Sequence, residues 1–353
     1  MLRFALVGCG RIAKRHAELL GSGHTEGAQL AAVCDIDFPR AEKMAAQWNV
    51  PAYRDMHEMM QKENIDVVSV LTPSGDHAEH VIGLSKYGKP ILVEKPMAMS
   101  LADADAMIEA CDKNNVRLFV VHQNRFNVPV VKMAEARDQG RLGKLVLGTL
   151  RVRWSRDQKY YSQDAWRGTW AQDGGVLTNQ AVHHIDMLRW MMGDVESVFA
   201  KSITALVDIE AEDTAVGTVK FRNGALGVVE ATTCARPVDL EGSISMLGDK
   251  GTVVIGGFAV NKMQTWRFVE EQEGDADVIE KYSVNPPDVY GFGHSAYYKH
   301  VVDCLVNNKP QLVDGREARK SIELLVALYE SIETGKEVFL PFTPTHCKLG
   351  RKS

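Results

Sequence analysis

A glycine-rich turn after the first apolar run constrains the fold more than any other feature of this sequence. Residues 3–7 have strand character, and residues 8–13 read GCGRIA before a helix-like stretch begins. Glycines at Gly8 and Gly10 let the backbone turn tightly and approach a pyrophosphate, which a helix N-terminus attracts. Such a turn can also be purely structural, so its meaning depends on the segments around it.

Short apolar runs alternate with helix-like segments up to about residue 121. The predicted strands are 3–7, 30–34, 67–71, 91–93 and 118–121, and the predicted helices are 11–20, 40–48, 76–87 and 102–114. This order is typical of a parallel sheet covered on both faces. Distinctive polar residues follow the strand ends, where open α/β sheets bind ligands.

The second predicted strand leads into Asp35, a carboxylate placed to accept both hydroxyls of an adenosine ribose. No Arg or Lys follows at once to hold a 2′-phosphate, so NAD is favoured over NADP. In the alternative interpretation Asp35 only caps the next turn. The glycine-rich turn, the strands and this carboxylate together predict dinucleotide binding.

The pattern changes after about residue 122. Strands are predicted at 145–154, 198–207, 214–221, 225–233, 242–247, 252–255 and 264–269, and helices at 129–138, 176–192, 294–306 and 315–334. Turn residues at 222–224 and 248–251 suit hairpins. The fold class is therefore predicted to be α/β. A Rossmann domain is expected at residues 1–122, an α+β domain with a large, mostly antiparallel open sheet at 123–340, and a tail at 341–353.

Composition excludes several classes of protein. The 353 residues are 45% hydrophobic and 25% charged, as in an ordinary globular protein of about two domains. The net charge of −5 and the lack of a basic run argue against nucleic acid as a partner. The six cysteines are scattered and form no zinc or redox motif. The sequence contains no run of 18 apolar residues, so no membrane span is predicted. We expect a cytoplasmic protein.

Two side chains are candidates for catalysis. Lys95 precedes Pro96, which restricts the lysine backbone and thereby the direction of its side chain. A fixed ammonium near a cofactor can bind and polarise a substrate hydroxyl, although a surface lysine paired with Glu94 is the alternative. His183 shares a predicted helix face with Asn179, and that face either lines a cleft or is solvated.

The neighbouring positions carry further expectations. On the same helical wheel Asp186 and Trp190 join the face of His183, whereas His184 lies near the apolar stripe and is expected to be a hydrogen-bonded structural histidine. The spacing of His183, His184 and Asp186 does not put a good ligand set on one helix face. No metal site is therefore predicted.

With these motifs in order, the chain resembles the glucose-fructose oxidoreductase and inositol dehydrogenase family over essentially its full length. The matching motifs are Gly8-x-Gly10-x-x-Ala13, Thr72-Pro73 with His77, Glu94-Lys95-Pro96, Asn124-Arg125, Trp166-Arg167, and Gly174-Gly175 leading to His183 and Asp186. The resemblance implies that Lys95 and His183 flank the nicotinamide and the oxidised carbon. The expected cofactor-binding residues are Gly8, Gly10, Arg11, Ile12, Asp35, Thr72, Pro73, His77, Glu94, Lys95, Asn124, Trp166 and Arg167.

The chain departs from the family pattern at Asn179, where an Asp usually precedes the histidine by four residues, and at Ala181, where Gly is usual. Asn cannot exchange a proton, so a carboxylate-assisted relay is in doubt. The lost charge should favour neutral His183, the form able to act as a base. Asn179 is then expected to orient a hydroxyl or the nicotinamide amide.

A narrower resemblance covers residues 123–127, 151–154, 164–169 and 177–180. In these segments the chain resembles the branch of the family that oxidises the 3-hydroxyl of UDP-N-acetylglucosaminuronate in bacterial surface-polysaccharide synthesis. Guanidinium groups suit its phosphates and carboxylate, and aromatic rings suit its base or sugar. The candidate substrate contacts are Arg125, Arg153, Arg156, Tyr160, Tyr161, Gln180, His183 and Tyr298. A strand edge or a subunit contact is the alternative for Arg153, Arg156, Tyr160 and Tyr161, and helix packing is the alternative for Tyr298.

The predicted function is an NAD-dependent dehydrogenase of this nucleotide-sugar, with Lys95, His183 and Asn179 at the catalytic site. His183 would take the hydroxyl proton while hydride leaves the same carbon, and Lys95 would stabilise the developing alkoxide. The alternatives are UDP-N-acetylglucosamine, an inositol or a free sugar as substrate, NAD recycled in place by a second substrate, and a non-catalytic NAD-binding regulator. A homodimer or homotetramer is expected through the exposed sheet face.

Overall fold

A computed structural model describes residues 1–283 and 293–351. The chain divides into two compact units. The first comprises Met1–Val121 and His294–Arg319, and the second comprises His122–Gly293 and Lys320–Ser353. Within the described ranges, no helix combines the length and the apolar character that crossing a bilayer requires.

The first unit contains a six-stranded, wholly parallel sheet in the order β3-β2-β1-β4-β5-β6. Its strands are β1 (Leu2–Val7), β2 (Ala28–Cys34), β3 (Ala52–Tyr53), β4 (Val67–Val70), β5 (Ile91–Val93) and β6 (Leu118–Val120). The order reverses between β1 and β4, which makes this the edge where such sheets bind ligands. The predicted Rossmann architecture is confirmed, and only the two-residue β3 was not predicted.

Helices follow the strands of the first unit, as expected for crossover connections. They are α1 (Ala13–Gly21), α2 (Phe38–Trp48), α3 (Met56–Lys62), α4 (His77–Ser85) and α5 (Leu101–Lys113). Side chains cap two of them, since Asp55 accepts the Glu58 N–H at the start of α3 and Ser100 accepts the Asp103 N–H at the start of α5. The seven-residue α3 was not predicted, because it is too short to show a clear helical period.

The second unit contains an eight-stranded sheet in the order β13-β12-β11-β7-β10-β9-β8-β14. Its strands are β7 (Leu145–Arg153), β8 (Val195–Ile203), β9 (Thr214–Phe221), β10 (Leu226–Thr232), β11 (Glu241–Gly248), β12 (Gly251–Gly256), β13 (Lys262–Phe268) and β14 (Val338–Phe339). All neighbours are antiparallel except β7 and β10. The mostly antiparallel sheet and both predicted hairpin turns are confirmed.

The remaining helices are α6 (Val128–Asp138), α7 (Gln158–Tyr161), α8 (Val182–Met192), α9 (Val278–Lys281), α10 (Gly293–Val306) and α11 (Gly315–Thr334). Helix α8 packs against one face of the second sheet. A Cβ added at Gly148 on β7 would lie 2.7 Å from Met192 and 2.9 Å from Leu188, so this glycine permits the close approach. The opposite face exposes side chains such as Val216 and Val228. We call this opposite side the outer face.

The predicted helix over residues 176–192 is wrong in its first part. Val176–Gln180 form a π-helical turn, and α8 begins only at Val182. The first amide groups bond to Glu212, because Val176 N–H donates to its backbone oxygen at 2.9 Å and Leu177 N–H donates to its Oε1 at 3.0 Å. Asn179 and His183 therefore do not lie on one continuous α-helix.

Candidate active-site elements

Gly8 and Gly10 have different structural roles in the turn between β1 and α1. Gly8 has φ +99°, and a Cβ there would lie 2.7 Å from the Leu71 carbonyl oxygen, so it allows β1 to pack beside the end of β4. A Cβ on Gly10 would meet no atom within 4 Å. The backbone at Gly10, with exposed Arg11 and with Ile12 as the N-cap of α1, is thus open to an approaching anion.

Asp35 lies beside this turn, just after β2. Its Oδ2 accepts the Cys9 N–H at 2.7 Å, and its Oδ1 accepts the Asp37 N–H at 2.8 Å. The side chain is only partly buried, and Ile36 and Asp37 after it are exposed. The local turn therefore holds the carboxylate in place while leaving part of it accessible, which suits a ribose contact.

His77 ties two loops of the first unit together. Its Nδ1 lies 2.8 Å from the Pro96 carbonyl oxygen, and its Nε2 lies 2.9 Å from the Thr72 carbonyl oxygen. The ring is buried, and burial lowers its pKa. Because protein atoms occupy both nitrogens, the expected direct cofactor contact of His77 is corrected to support of the Thr72-Pro73 and Lys95-Pro96 loops.

Glu94 also points into the unit rather than toward a ligand. It is 5% exposed, its Oε1 lies 3.0 Å from His16 Nε2, and its Oε2 accepts the Lys95 backbone N–H at 3.0 Å. The expected cofactor contact of Glu94 is therefore corrected to a buried, protein-bound carboxylate. Lys95 itself is half-buried, at the end of β5 beside the ligand-binding edge of the sheet.

In the second unit, His183 on α8 has a partner that the sequence did not identify. The Nε2 atom of Gln123 lies 3.0 Å from Nε2 of His183, and the His122 ring packs edge-on at 5.9 Å. An amide nitrogen only donates, so Nε2 of His183 accepts in this arrangement, and the proton of the neutral ring lies on Nδ1. The Gln123 amide therefore engages the lone pair on Nε2 of His183.

A buried carboxylate lies against Asn179. The Asn179 Nδ2 donates to Asp173 Oδ1, and Asp173 Oδ2 accepts the Gly168 N–H at 2.8 Å. Asp173 is 1% exposed and precedes the Gly174-Gly175 pair. Sequence reasoning missed it because nothing in the linear pattern links Asp173 to Asn179. A carboxyl group therefore lies one hydrogen bond from position 179, where the family pattern has its Asp.

Several predicted substrate residues meet in one cluster of the second unit. Tyr160 is central, because its hydroxyl accepts from Arg167 Nη1 at 2.9 Å and from Gln180 Nε2 at 3.1 Å. The guanidinium carbons of Arg167 and Arg156 lie 4.7 and 5.4 Å from the Tyr160 ring centre. Gln180 also donates to Asn179 Oδ1 at 2.5 Å. We call Arg156, Tyr160, Arg167 and Gln180 the guanidinium–tyrosine cluster.

Two further expected cofactor contacts, Trp166 and Asn124, are half-buried. The ring centre of Trp166 lies 4.6 Å from the guanidinium carbon of Arg167. Asn124 lies in the short 3₁₀ turn Gln123–Phe126.

The expected substrate contact of Arg125 is wrong. This residue is 1% exposed and forms a bidentate ion pair with Asp186, at 2.7 and 2.6 Å, while its guanidinium stacks on Trp190. Burial alone would raise the pKa of Asp186, but the Arg125 charge holds it well below its usual range. Arg125, Asp186 and Trp190 therefore anchor α8 and do not form a substrate-binding face.

Three other expected substrate contacts are corrected. Arg153 lies on the outer face, opposite α8, and pairs with Glu230 at 2.5 Å. Tyr161 is buried, with its hydroxyl 3.3 Å from Thr233 Oγ1. Tyr298 is fully buried in the first unit. These placements follow from strand alternation for Arg153 and from core packing for the tyrosines.

His184 is buried against Trp154, with ring centres 5.7 Å apart, but its nitrogens have no hydrogen-bond partner among the described residues. The expectation of a hydrogen-bonded histidine is wrong. Burial lowers the pKa of His184 to about 4. The ring is therefore neutral at physiological pH.

One set of three side chains in residues 1–283 and 293–351 brings possible metal ligands within 4.8 Å of one another, namely His16, Glu94 and His294. Glu94 contacts both histidines, at 3.0 and 3.7 Å, and the two rings pack edge-on with their centres 5.5 Å apart. His183, His184 and Asp186 do not belong to this set.

Comparisons with known proteins agree with this architecture. The chain is 41% identical to the WlbA dehydrogenase from Bordetella pertussis, whose crystal structure is in complex with NADH and UDP-GlcNAcA. The two structures superpose with a TM-score of 0.93 over 97% of this chain and 98% of that chain. It is also 32% identical to a myo-inositol 2-dehydrogenase from Thermotoga maritima, over 96% of this chain and 98% of the relative.

Both units match one family of enzymes. Residues 2–122 match its NAD-binding Rossmann fold, and residues 135–340 match its C-terminal alpha/beta domain. The sequence motifs had pointed to the same family. The chain therefore belongs to the GFO/IDH/MocA oxidoreductase family and is an NAD-dependent dehydrogenase that acts on sugar hydroxyls.

Proposed function

We propose that this enzyme oxidises the 3-hydroxyl of UDP-N-acetylglucosaminuronate and thereby serves bacterial surface-polysaccharide synthesis. The observation that carries the proposal is the guanidinium–tyrosine cluster, which is linked through Gln180 to Asn179 near the start of α8. Arg156 pairs with Asp239 at 2.8 Å and Arg167 pairs with Asp164 at 3.1 Å, and a phosphate or a sugar carboxylate would take the place of these acids. The solved structure of the B. pertussis relative, 41% identical, contains that same nucleotide-sugar.

The residues at the end of β1 fit the dinucleotide. The open backbone at Gly10 and the N-terminus of α1 would hold its pyrophosphate, and Asp35 would accept the ribose hydroxyls. NAD, when bound, accepts a hydride from the substrate carbon.

Side chains of this protein accept the proton that the substrate hydroxyl loses. In our proposal the lone pair on Nε2 of His183, which accepts from Gln123 in this structure, exchanges that amide for the substrate hydroxyl and takes its proton. Lys95 binds the same oxygen and stabilises its developing negative charge. The secondary alcohol, having lost a proton and a hydride, becomes a ketone. Asn179, held by Asp173, orients a neighbouring polar group.

The test of the substrate uses UDP-N-acetylglucosaminuronate, UDP-N-acetylglucosamine and myo-inositol, with NADH absorbance as the readout. We expect kcat/KM to be highest for the first. Substrate deuterated at C3 should transfer its label to NADH, as measured by mass spectrometry. Transfer of label from another carbon, or a preference for uncharged sugars, would contradict the proposal.

Paired variants test the binding surface. Arg156→Gln should raise KM for the nucleotide-sugar about 10-fold, because a charged contact is lost. Arg153→Gln, on the outer face, serves as the matched control and should leave KM within about twofold.

Variants also test the catalytic roles. Lys95→Ala and His183→Ala should each lower kcat by about 100-fold or more, while the Kd for NAD stays within about threefold. Unchanged turnover in both variants would remove the assignment.

An inositol dehydrogenase is the second candidate, favoured by the 32% identity to the T. maritima enzyme. A neutral inositol needs no guanidinium partner, so under this alternative Arg156→Gln should leave KM unchanged. The same comparison of substrates and variants therefore separates the two functions.

A further inference from the structure

Four polar side chains are buried together in the first unit, behind the backbone of Lys95. His16 lies on α1, Glu94 follows β5, and His294 and Tyr298 lie on α10; each is at most 5% exposed. The Tyr298 hydroxyl lies 2.6 Å from His16 Nδ1, and His16 Nε2 lies 3.0 Å from Glu94 Oε1. His294 Nε2 lies 3.7 Å from the same oxygen. We call these residues the Glu94 network.

The hydrogen bonds of the network run in one direction. Burial raises the pKa of Tyr298, so its hydroxyl keeps its proton and can donate it to Nδ1 of His16. Neutral His16 then carries its proton on Nε2 and donates it to Glu94 Oε1. Burial alone would raise the pKa of Glu94, but its contacts with His16 and His294 hold it well below its usual range. Its other oxygen, Oε2, accepts the Lys95 N–H.

We propose that His16 and Tyr298 are positioning residues for Lys95, acting through the Glu94 carboxylate that holds the Lys95 backbone. This inference rests on the catalytic role proposed for Lys95. A carboxylate that accepts from both sides cannot rotate without losing a hydrogen bond, so the lysine backbone is held where the chain leaves β5. The Glu94 carboxylate thus fixes the main chain of Lys95 on one side, and the adjoining Pro96 restricts it on the other.

The first test removes single groups. Tyr298→Phe should lower kcat about 3- to 10-fold and His16→Leu about 10- to 100-fold, with KM and the Kd for NAD each within about threefold. His16→Gln retains an amide donor for Glu94 and should recover part of the loss. Tyr87→Phe is the matched control, because Tyr87 also contacts a histidine, His57, at 3.1 Å in the same unit. It should leave kcat unchanged.

The second test uses the pH profile of kcat. Without the His16 donor, the pKa of Glu94 should rise, so His16→Leu should lose activity at a higher pH than wild type does. His16→Leu combined with Glu94→Gln should lack that shifted loss, since no carboxylate remains to titrate. The titratable or charged groups facing Glu94 are His16, His77, Lys95, His294, Tyr297 and Tyr298.

A third readout does not depend on turnover. Nitrogen NMR of ¹⁵N-histidine-labelled protein should show His16, assigned by its loss in His16→Gln, as the neutral ring protonated on Nε2. Tyr298→Phe should shift its Nδ1 resonance, and Tyr87→Phe should not. A doubly protonated His16 ring would contradict the direction of the network.

The outcomes distinguish this inference from the proposed function. If Lys95→Ala retains full turnover, the proposed role of Lys95 fails and the inference fails with it. If Lys95→Ala is inactive but His16→Leu and Tyr298→Phe only lower the melting temperature, with wild-type kcat and pH profile, the network is structural and the inference alone is overturned.

Discussion

Gln123 controls which nitrogen of His183 bears the proton. Its amide donates to Nε2, which keeps the lone pair there and the proton on Nδ1. A carboxylate in its place would accept instead and would draw the proton to Nε2.

We therefore expect Gln123→Glu to lower kcat about 10- to 100-fold, with little change in the Kd for NAD. Single-turnover rates and cofactor titration would check this. Gln158→Glu is the control, because Gln158 is exposed and contacts Asp208. Equal rates for wild type and Gln123→Glu would show that the amide has no part in the reaction.

His184 makes the stability of the second unit sensitive to acid. Its folded-state pKa of about 4 lies below its ordinary 6.5, so the unfolded chain binds more protons between these values. Stability from this group is full above about pH 6.5 and is lost as the pH falls toward 4.

His184→Phe keeps an aromatic ring against Trp154 and removes the titration. Between pH 7.5 and pH 5, wild type should lose about 2 kcal/mol more unfolding free energy than the variant. Urea unfolding at both pH values measures this difference. If the two proteins lose stability equally, His184 does not titrate in this range.

At the scale of elements, the π-helical turn depends on Glu212. Its Oε1 accepts from Leu177 N–H and from the Tyr329 hydroxyl at 2.8 Å, and a Cβ on Gly175 would collide with the Glu212 backbone oxygen and Oε2. The carboxyl is 3% exposed, and burial raises its pKa to about 7. The folded state therefore binds the extra proton between about pH 4.5 and 7.

The sign of this effect is opposite to that of His184. Wild type should lose about 2 to 3 kcal/mol relative to Glu212→Gln as the pH rises from 5 to 8. Thermal unfolding of both proteins across this range tests the expectation. A parallel pH dependence in the two would show that Glu212 is ionised throughout.

At the scale of the whole molecule, the outer face of the second sheet exposes several apolar side chains. Phe199, Val216, Leu226 and Val228 lie on neighbouring strands β8, β9 and β10, and each is 38% exposed or more. Strand alternation puts them on the side opposite α8. Such a patch on a sheet is typical of a subunit interface.

We predict a homodimer or homotetramer that Val228→Glu dissociates, because burying a charge in an apolar interface is unfavourable. Light scattering after size exclusion would report the mass. Val269→Glu, at an exposed position after β13, should leave the mass unchanged. A monomeric wild type would contradict the prediction.

Sequence patterns predicted the elements that have clear periods. They located β1, β2, β4, β5 and β6 to within two residues at either end, and the glycine-rich turn and Asp35 followed from them. They failed where tertiary contacts decide. Glu212 breaks the predicted helix, Asp186 takes Arg125 away from a substrate, and Asp173 reaches Asn179 only in three dimensions. The roles of Lys95 and His183 stay predictions, since their test is kinetic.

The first unit includes residues 294–319, and these contribute to its interior. Val120 N–H donates to the Val313 carbonyl oxygen at 3.4 Å, and Tyr298 packs on Phe4 with ring centres 5.6 Å apart. During translation, β1 leaves the ribosome long before these partners are made. Part of the apolar surface of the N-terminal sheet therefore stays exposed until nearly the whole polypeptide has been synthesised. We expect chaperones to matter most during this interval.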